Sequence, residues 1–187
     1  GDGKTHFMSV VRHLALEKGF AVSFVVLTRD VPIHKFETVY QAIVRQLQGD
    51  FTGTGIRALL DSWLEKLEQA PDAGQPYQAL AGQLKEMPGM DISFANALAA
   101  LINNRFAPLA EGEDKARRDA DNEVLMHWFE GGKVTKRELK PFQIYEFLNK
   151  TNARQFMNSL ILFLRHTGHQ GLILLMDEME TVVAMST

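Results

Sequence analysis

The sequence predicts an α/β chain that is mostly helical, with a small parallel sheet formed by strands at about residues 21–28 and 172–176. Three observations support this. The runs Ala-Val-Ser-Phe-Val-Val-Leu-Thr and Leu-Ile-Leu-Leu-Met have the near-continuous apolar character of strands covered on both faces. The long interval between them repeats its apolar residues at helical spacing. Gly3-Lys4-Thr5 stands directly before the first helical pattern, and Asp177-Glu178 directly follows the second strand.

With 187 residues, 45% of them hydrophobic, the chain can bury one sizeable core and reads as a single domain or most of one. A formal net charge of −3 gives no electrostatic case for binding nucleic acid or a membrane surface, although a local patch is compatible with it. The chain has no cysteine, which excludes a disulfide framework and thiolate metal sites and fits a reducing cytoplasm. The longest apolar run, residues 171–176, is far too short to span a bilayer, and no signal segment or internal repeat is present.

In chain order, residues 5–18 place Phe7, Val10, Val11 and Leu14 at helical spacing, with Gly19 as a stop. After the first strand and a turn, Phe36, Val39, Tyr40, Ile43, Val44 and Leu47 form one apolar stripe of an amphipathic helix. A second stripe, Ile56, Leu59, Leu60, Trp63, Leu64 and Leu67, follows a polar break at 49–55, with Thr54 as a cap, and ends before Pro71. Pro71, Gly74, Pro76, Pro88 and Gly89 then punctuate a shorter helix over 77–86. Helical patterns resume over 92–106 and 113–129, the latter stopped by Gly131-Gly132. A basic, irregular link over 133–141 leads to a short helical piece at 144–148. A long helix capped by Thr151 or Asn152 then carries Phe156, Met157, Leu160, Ile161 and Leu164, and Gly168 or Gly171 closes it. Residues 179–185 read as the start of another helix.

The two motif-bearing ends suggest a nucleoside-triphosphate site. A phosphate-binding loop runs G-x-x-x-x-G-K-[ST], of which Gly3-Lys4-Thr5 is the end. Its leading glycine and strand would lie before residue 1, so the chain reads as an excised piece of a larger protein, expected to have little ATP affinity by itself. Successive backbone N–H groups and the positive end of the following helix cradle an anion, and glycines such as Gly1 and Gly3 let the backbone approach it. Lys4 would reach the β- and γ-phosphates, and Thr5 would place a hydroxyl on Mg²⁺. Asp2 fits less well, because it brings negative charge to the loop. A carboxylate at the carboxyl end of a sheet strand lies where ligands bind in open α/β folds. Asp177 would hold the magnesium through water, and Glu178 would orient and deprotonate the attacking water. The candidate nucleotide-binding residues are therefore Gly1, Asp2, Gly3, Lys4, Thr5 and His6. Thr5 and Asp177 are the candidate metal residues, and Glu178 is the candidate catalytic residue.

Other features read as structural. His166 and His169 lack a third ligand and read as a surface turn. Tyr40, Trp63, Trp128 and Phe129 read as core. Lys133, Lys136, Arg137 and Lys140 read as a solvated loop, with a contact to nucleic acid or a partner as the alternative. Arg105, Arg154 and Arg165 read as ordinary surface ion pairs rather than arginine fingers.

Five stretches, in order, resemble one family. They are Gly1-Asp2-Gly3-Lys4-Thr5-His6-Phe7, Ala15-Leu16-Glu17-Lys18-Gly19-Phe20 with the strand after it, Trp128-Phe129-Glu130-Gly131, Gly168-His169-Gln170-Gly171-Leu172, and Met176-Asp177-Glu178-Met179-Glu180. Together they resemble the P-loop ATP-binding domain of bacteriophage-exclusion (BREX) defence proteins. The resemblance implies an ATPase of the AAA+-like class that uses ATP and Mg²⁺ and acts with other subunits of a defence complex. It also implies a nucleotide-fold core over 1–50 and 151–187, with a helical insertion at about 51–150. In that class the strand bearing Asp177-Glu178 lies beside the strand after the first helix, so 21–28 and 172–176 should pair in parallel. The sheet would then be a two-stranded remnant whose exposed edge favours self-association. The alternative is a non-catalytic helical interaction module with a vestigial nucleotide site.

Overall fold

The computed structural model describes residues 2–70 and 76–178. Gly1, the Pro71 and Gly74 breaks and the helix expected over 179–185 lie outside the described residues. The order of elements is α1 (Asp2–Glu17), β1 (Ala21–Leu27), α2 (Phe36–Arg45), β2 (Leu47–Gln48), α3 (Ile56–Gln69), α4 (Tyr77–Lys85), α5 (Ile92–Phe106), α6 (Lys115–Phe129), α7 (Lys136–Leu139), a 3₁₀ turn (Lys140–Phe142), α8 (Ala153–His166) and β3 (Leu172–Glu178).

The expected parallel pairing forms: β1 and β3 align from Ala21 opposite Leu172 to Leu27 opposite Glu178. The sheet is nevertheless three-stranded and mixed, in the order β2-β1-β3, rather than a two-stranded parallel remnant. The extra strand arises because α2 stops at Arg45, two residues before the end of its apolar stripe, and Leu47–Gln48 pair antiparallel with Val22 and Ser23. Leu47 is fully buried in this strand, so the pairing meets the same demand for burial that a longer helix would have met, and it also covers one edge of β1. Alternation along the strands sets two faces. Ala21, Ser23, Val25 and Leu27, with Leu172, Leu174 and Met176 alongside, face the helical body, where the Ser23 hydroxyl donates to the Ile43 carbonyl at 2.8 Å. Val22, Phe24, Val26, Ile173, Leu175 and Asp177 take the other face, over which α1 packs.

The two amphipathic stripes are observed. Val39, Tyr40, Ile43 and Val44 of α2, and Ile56, Leu59, Leu60, Trp63 and Leu64 of α3, are buried in one core cluster with α5, α6 and α8. Phe94 and Phe156 lie at its centre. Phe94 meets Trp128, Phe129 and Phe156 edge-on at centroid distances of 5.2–6.5 Å, and Phe156 also meets Tyr40 at 6.1 Å. Gly131, which ends α6, is held at φ +71°, and a Cβ there would come within 2.5 Å of the Leu148 side chain and 2.9 Å of Gln41. Gly55 rather than Thr54 precedes α3.

Two segments differ from expectation for local reasons. The 133–141 link is not irregular: Thr135 accepts from the Glu138 backbone N–H, and the Glu138 carboxylate accepts from the Thr135 N–H at 2.7 Å. This reciprocal cap nucleates α7 inside the basic run. Residues 144–148 form no helix, because neighbouring side chains take the segment's carbonyls. Trp128 Nε1 donates to Glu146 O at 2.9 Å, and the Asn152 side chain donates to Phe147 O at 2.7 Å. At the start of α8, Asn152 is the cap residue, but its side chain accepts from the Asn149 N–H instead of from the helix. Gly168, at φ +95°, closes α8.

Candidate nucleotide site

The first and last described elements meet at one end of the sheet. Gly3, Lys4 and Thr5 lie in the opening turn of α1, and Asp177 and Glu178 are the last two residues of β3. The path from α1 through β1, across the helices and back to β3 brings Lys4 Nζ to 2.8 Å from Asp177 Oδ1. Both side chains are partly exposed, at 55% and 30%, and an ion pair in that setting contributes only about 0–1 kcal/mol.

Residues 3–5 are helical, so this stretch is the start of a helix here rather than a loop wrapped around an anion. Thr5 and His6 are exposed, and a Cβ on Gly3 would meet nothing within 4 Å. Gly1 and the side chain of Asp2 lie outside the described residues. β3 continues through both carboxylates instead of ending at Met176, and consecutive strand residues point to opposite faces. Asp177 therefore shares the face of α1, whereas the exposed Glu178 shares the face of Leu172, Leu174 and Met176. The register that sets Leu27 against Glu178 also brings the turn after β1 to this end, where Thr28 Oγ1 accepts from the N–H groups of Asp30 and Val31. Only the strand register could have revealed that neighbourhood.

Among the described residues no cluster of three or more His, Cys, Asp or Glu is arranged to hold a metal ion. Magnesium on a nucleotide needs only one or two carboxylates, with phosphate oxygens and water completing its shell. The hard oxygen donors of Asp177 and Thr5 suit that role.

The remaining candidates separate cleanly. His169 is not on a surface turn: it is 6% exposed, and its Nε2 accepts from the Asp50 N–H at 3.0 Å. Its Nδ1 lies 3.0 Å from Thr167 Oγ1, whose own proton goes to Leu164 O, so Nδ1 is the donor and the ring is neutral. Burial lowers the pKa of His169, and partial desolvation at the end of α8 lowers that of His166. Gly49 makes room for the His169 ring, since a Cβ there would lie 2.5 Å from Nε2. Tyr40, Trp63, Trp128 and Phe129 are core, and Arg105 pairs with Glu68 through Nε and Nη2. Arg118 secures the α5–α6 connection by donating to the carbonyls of Asn104, Ala107 and Pro108, and its guanidinium holds the Glu113 carboxyl down at about 2. No helix among the described residues is long and apolar enough to cross a membrane.

The α1 N-terminus and the strand-end carboxylate of Asp177 thus meet at one end of the sheet. The chain belongs to the family of BREX system ATP-binding proteins BrxC/D, whose model matches residues 1–187. Neither curated proteins nor solved structures give a match. Family membership carries a role in phage defence, ATP as the ligand and a multi-protein system as the setting.

Proposed function

We propose that this chain carries the ATP-binding and ATP-hydrolysing site of a cytoplasmic phage-defence complex, built as a P-loop NTPase of AAA+-like type. The observation that supports it best is the 2.8 Å contact between Lys4 and Asp177, which joins the two motif halves across the sheet. In this reading the backbone N–H groups of residues 1–3 and the α1 N-terminus receive the phosphates. Lys4 leaves Asp177 for the β- and γ-phosphates, and His6 borders the nucleotide. Asp177, through water, and the Thr5 hydroxyl would hold Mg²⁺, which would supply positive charge beside the γ-phosphate. Glu178, the last residue of β3, turns around the strand end to orient the attacking water and accept its proton. The nucleotide-fold core takes residues 1–50 and 151–187, and 51–150 form a helical insertion that faces other subunits.

ATP turnover by the full-length protein tests this, measured beside Lys4→Ala and Glu178→Gln. Glu178→Gln should lower kcat by about 100-fold or more while leaving nucleotide binding in place. Lys4→Ala should weaken binding itself. Wild-type turnover no higher than that of both variants would reject hydrolysis and favour a non-catalytic interaction module.

A further inference from the structure

The basic run that begins just after α6 is not absorbed by the nucleotide site. Lys133, Lys136, Arg137 and Lys140 are all exposed, and none forms an ion pair among the described residues. The single acid in that run, Glu138, is held in the α7 cap by the Thr135 N–H and hydroxyl, both at 2.7 Å. Leu139 is buried, so the one turn of α7 turns its cations to solvent. Tyr145, a few residues on, is 69% exposed.

A groove of about 490 Å³ adjoins this surface, with the 3₁₀ turn as one wall and α4 and α5 as the others. Its lining combines the amides of Gln78, Asn103, Asn104 and Gln143 with the rings of Tyr77 and Phe142, and Lys85 adds a cation. The wall is fixed in place, because Asn96 of α5 donates to Gln143 O at 2.9 Å. Cations suit a phosphate backbone, amides pair with base edges, and exposed rings stack on bases. A flat acidic protein surface would use the cations but not the recessed amides and rings. A duplex keeps its bases stacked, and a single-turn helix is too short to read them in a groove.

We propose that the α7 surface and the adjoining α4–α5 groove bind single-stranded nucleic acid, with Lys133, Lys136, Arg137 and Lys140 on phosphates and Tyr145 stacked on a base. This surface shares no residue with the proposed nucleotide site.

The test is fluorescence anisotropy of the full-length protein with a labelled single strand of about 20 nucleotides and with the same sequence as duplex, in about 50–200 mM salt. Four phosphate contacts predict a slope of log K against log salt near −2.8, or about 50-fold weaker single-strand binding across that range. Replacing all four cations by Ala should remove most of that slope, and Tyr145→Ala should weaken binding by about 5- to 150-fold with the slope unchanged. ATP turnover and the thermal unfolding midpoint, both expected to stay at wild-type values, establish that the variants are folded. Any of three results overturns the proposal: no single-strand binding at the lowest salt, the wild-type slope in the four-cation variant, or duplex bound as tightly as single strand.

Discussion

The helical body and the nucleotide end of this molecule are built on opposite terms. In the body, Phe94 and Phe156 are at most 1% exposed and meet each other and Tyr40, Trp128 and Phe129 in edge-on contacts that join α2, α5, α6 and α8. At the nucleotide end, α1 rests on the sheet through Met8, Val11 and Ala15, yet it presents Phe7, Val10 and Leu14 to solvent, with Phe7 67% exposed. β1, flanked on both edges, is buried at five of its seven residues, whereas β3, paired on one edge among the described residues, is half-buried along nearly its whole length. Folding stability is thus concentrated where no chemistry is proposed. The end that would handle nucleotide is held by a partly exposed ion pair and thin packing, so ligand and partner contacts can reshape it without unfolding the rest.

The largest effect that this contrast predicts is at the centre of the body. Phe156→Ala removes a ring that touches Tyr40, Phe94 and Trp128 in a closed cluster, and should cost about 3–5 kcal/mol in urea denaturation. A cost below about 1 kcal/mol would mean that the aromatic cluster is not what holds the fold.

A smaller effect is expected at His169, which joins the two regions by tying the 49–55 loop to the turn before β3. Burial lowers its pKa in the folded chain, and Lys66 adds to this, while the Leu164 backbone contact and Asp50 act in the opposite sense. The folded state therefore disfavours a proton that the unfolded chain accepts near pH 6.5. Stability should be level above that pH and fall as the pH drops below it, with His166 adding a share of the same sign. His169→Leu should cost about 1–3 kcal/mol at neutral pH, by leaving the Asp50 N–H without an acceptor, and should flatten the acid limb of Tm against pH. An unchanged acid limb would show that the proton is taken up elsewhere.

How much of this was legible in the sequence depended on whether a pattern had one physical solution. The α2 and α3 stripes, the 92–106 helix and the parallel β1–β3 pair each had one, and they formed. Leu47 had two, since the last turn of a helix and a short strand would both bury it. Ile144, Phe147 and Leu148 mimic helical spacing, but Trp128 and Asn152 claim that segment's carbonyls, and no local pattern records such distant donors. The Thr135–Glu138 capping pair was readable but was masked by the surrounding charge. At the site, the meeting of the Gly3-Lys4-Thr5 and Asp177-Glu178 ends was legible. The division of the two carboxylates between opposite faces was not, because it depends on two more residues of strand. In α1, Phe7, Val10 and Leu14 are offset by one position from Met8, Val11 and Ala15, and periodicity alone cannot say which stripe faces the sheet.

That ambiguity sets the smallest expected effect and the most direct test of the contrast. Replacing Phe7, Val10 and Leu14 together by Gln leaves the stripe facing the sheet intact and keeps good helix formers on an exposed face. Each replacement should change stability by no more than about 0.5 kcal/mol, as is usual for surface positions. The same substitutions should reduce self-association of the 187-residue chain in sedimentation velocity, because an exposed apolar stripe beside a strand edge left unpaired among the described residues favours contact between copies. A loss of several kcal/mol would instead place this stripe in a packed core, and the nucleotide end would then be as tightly built as the helical body.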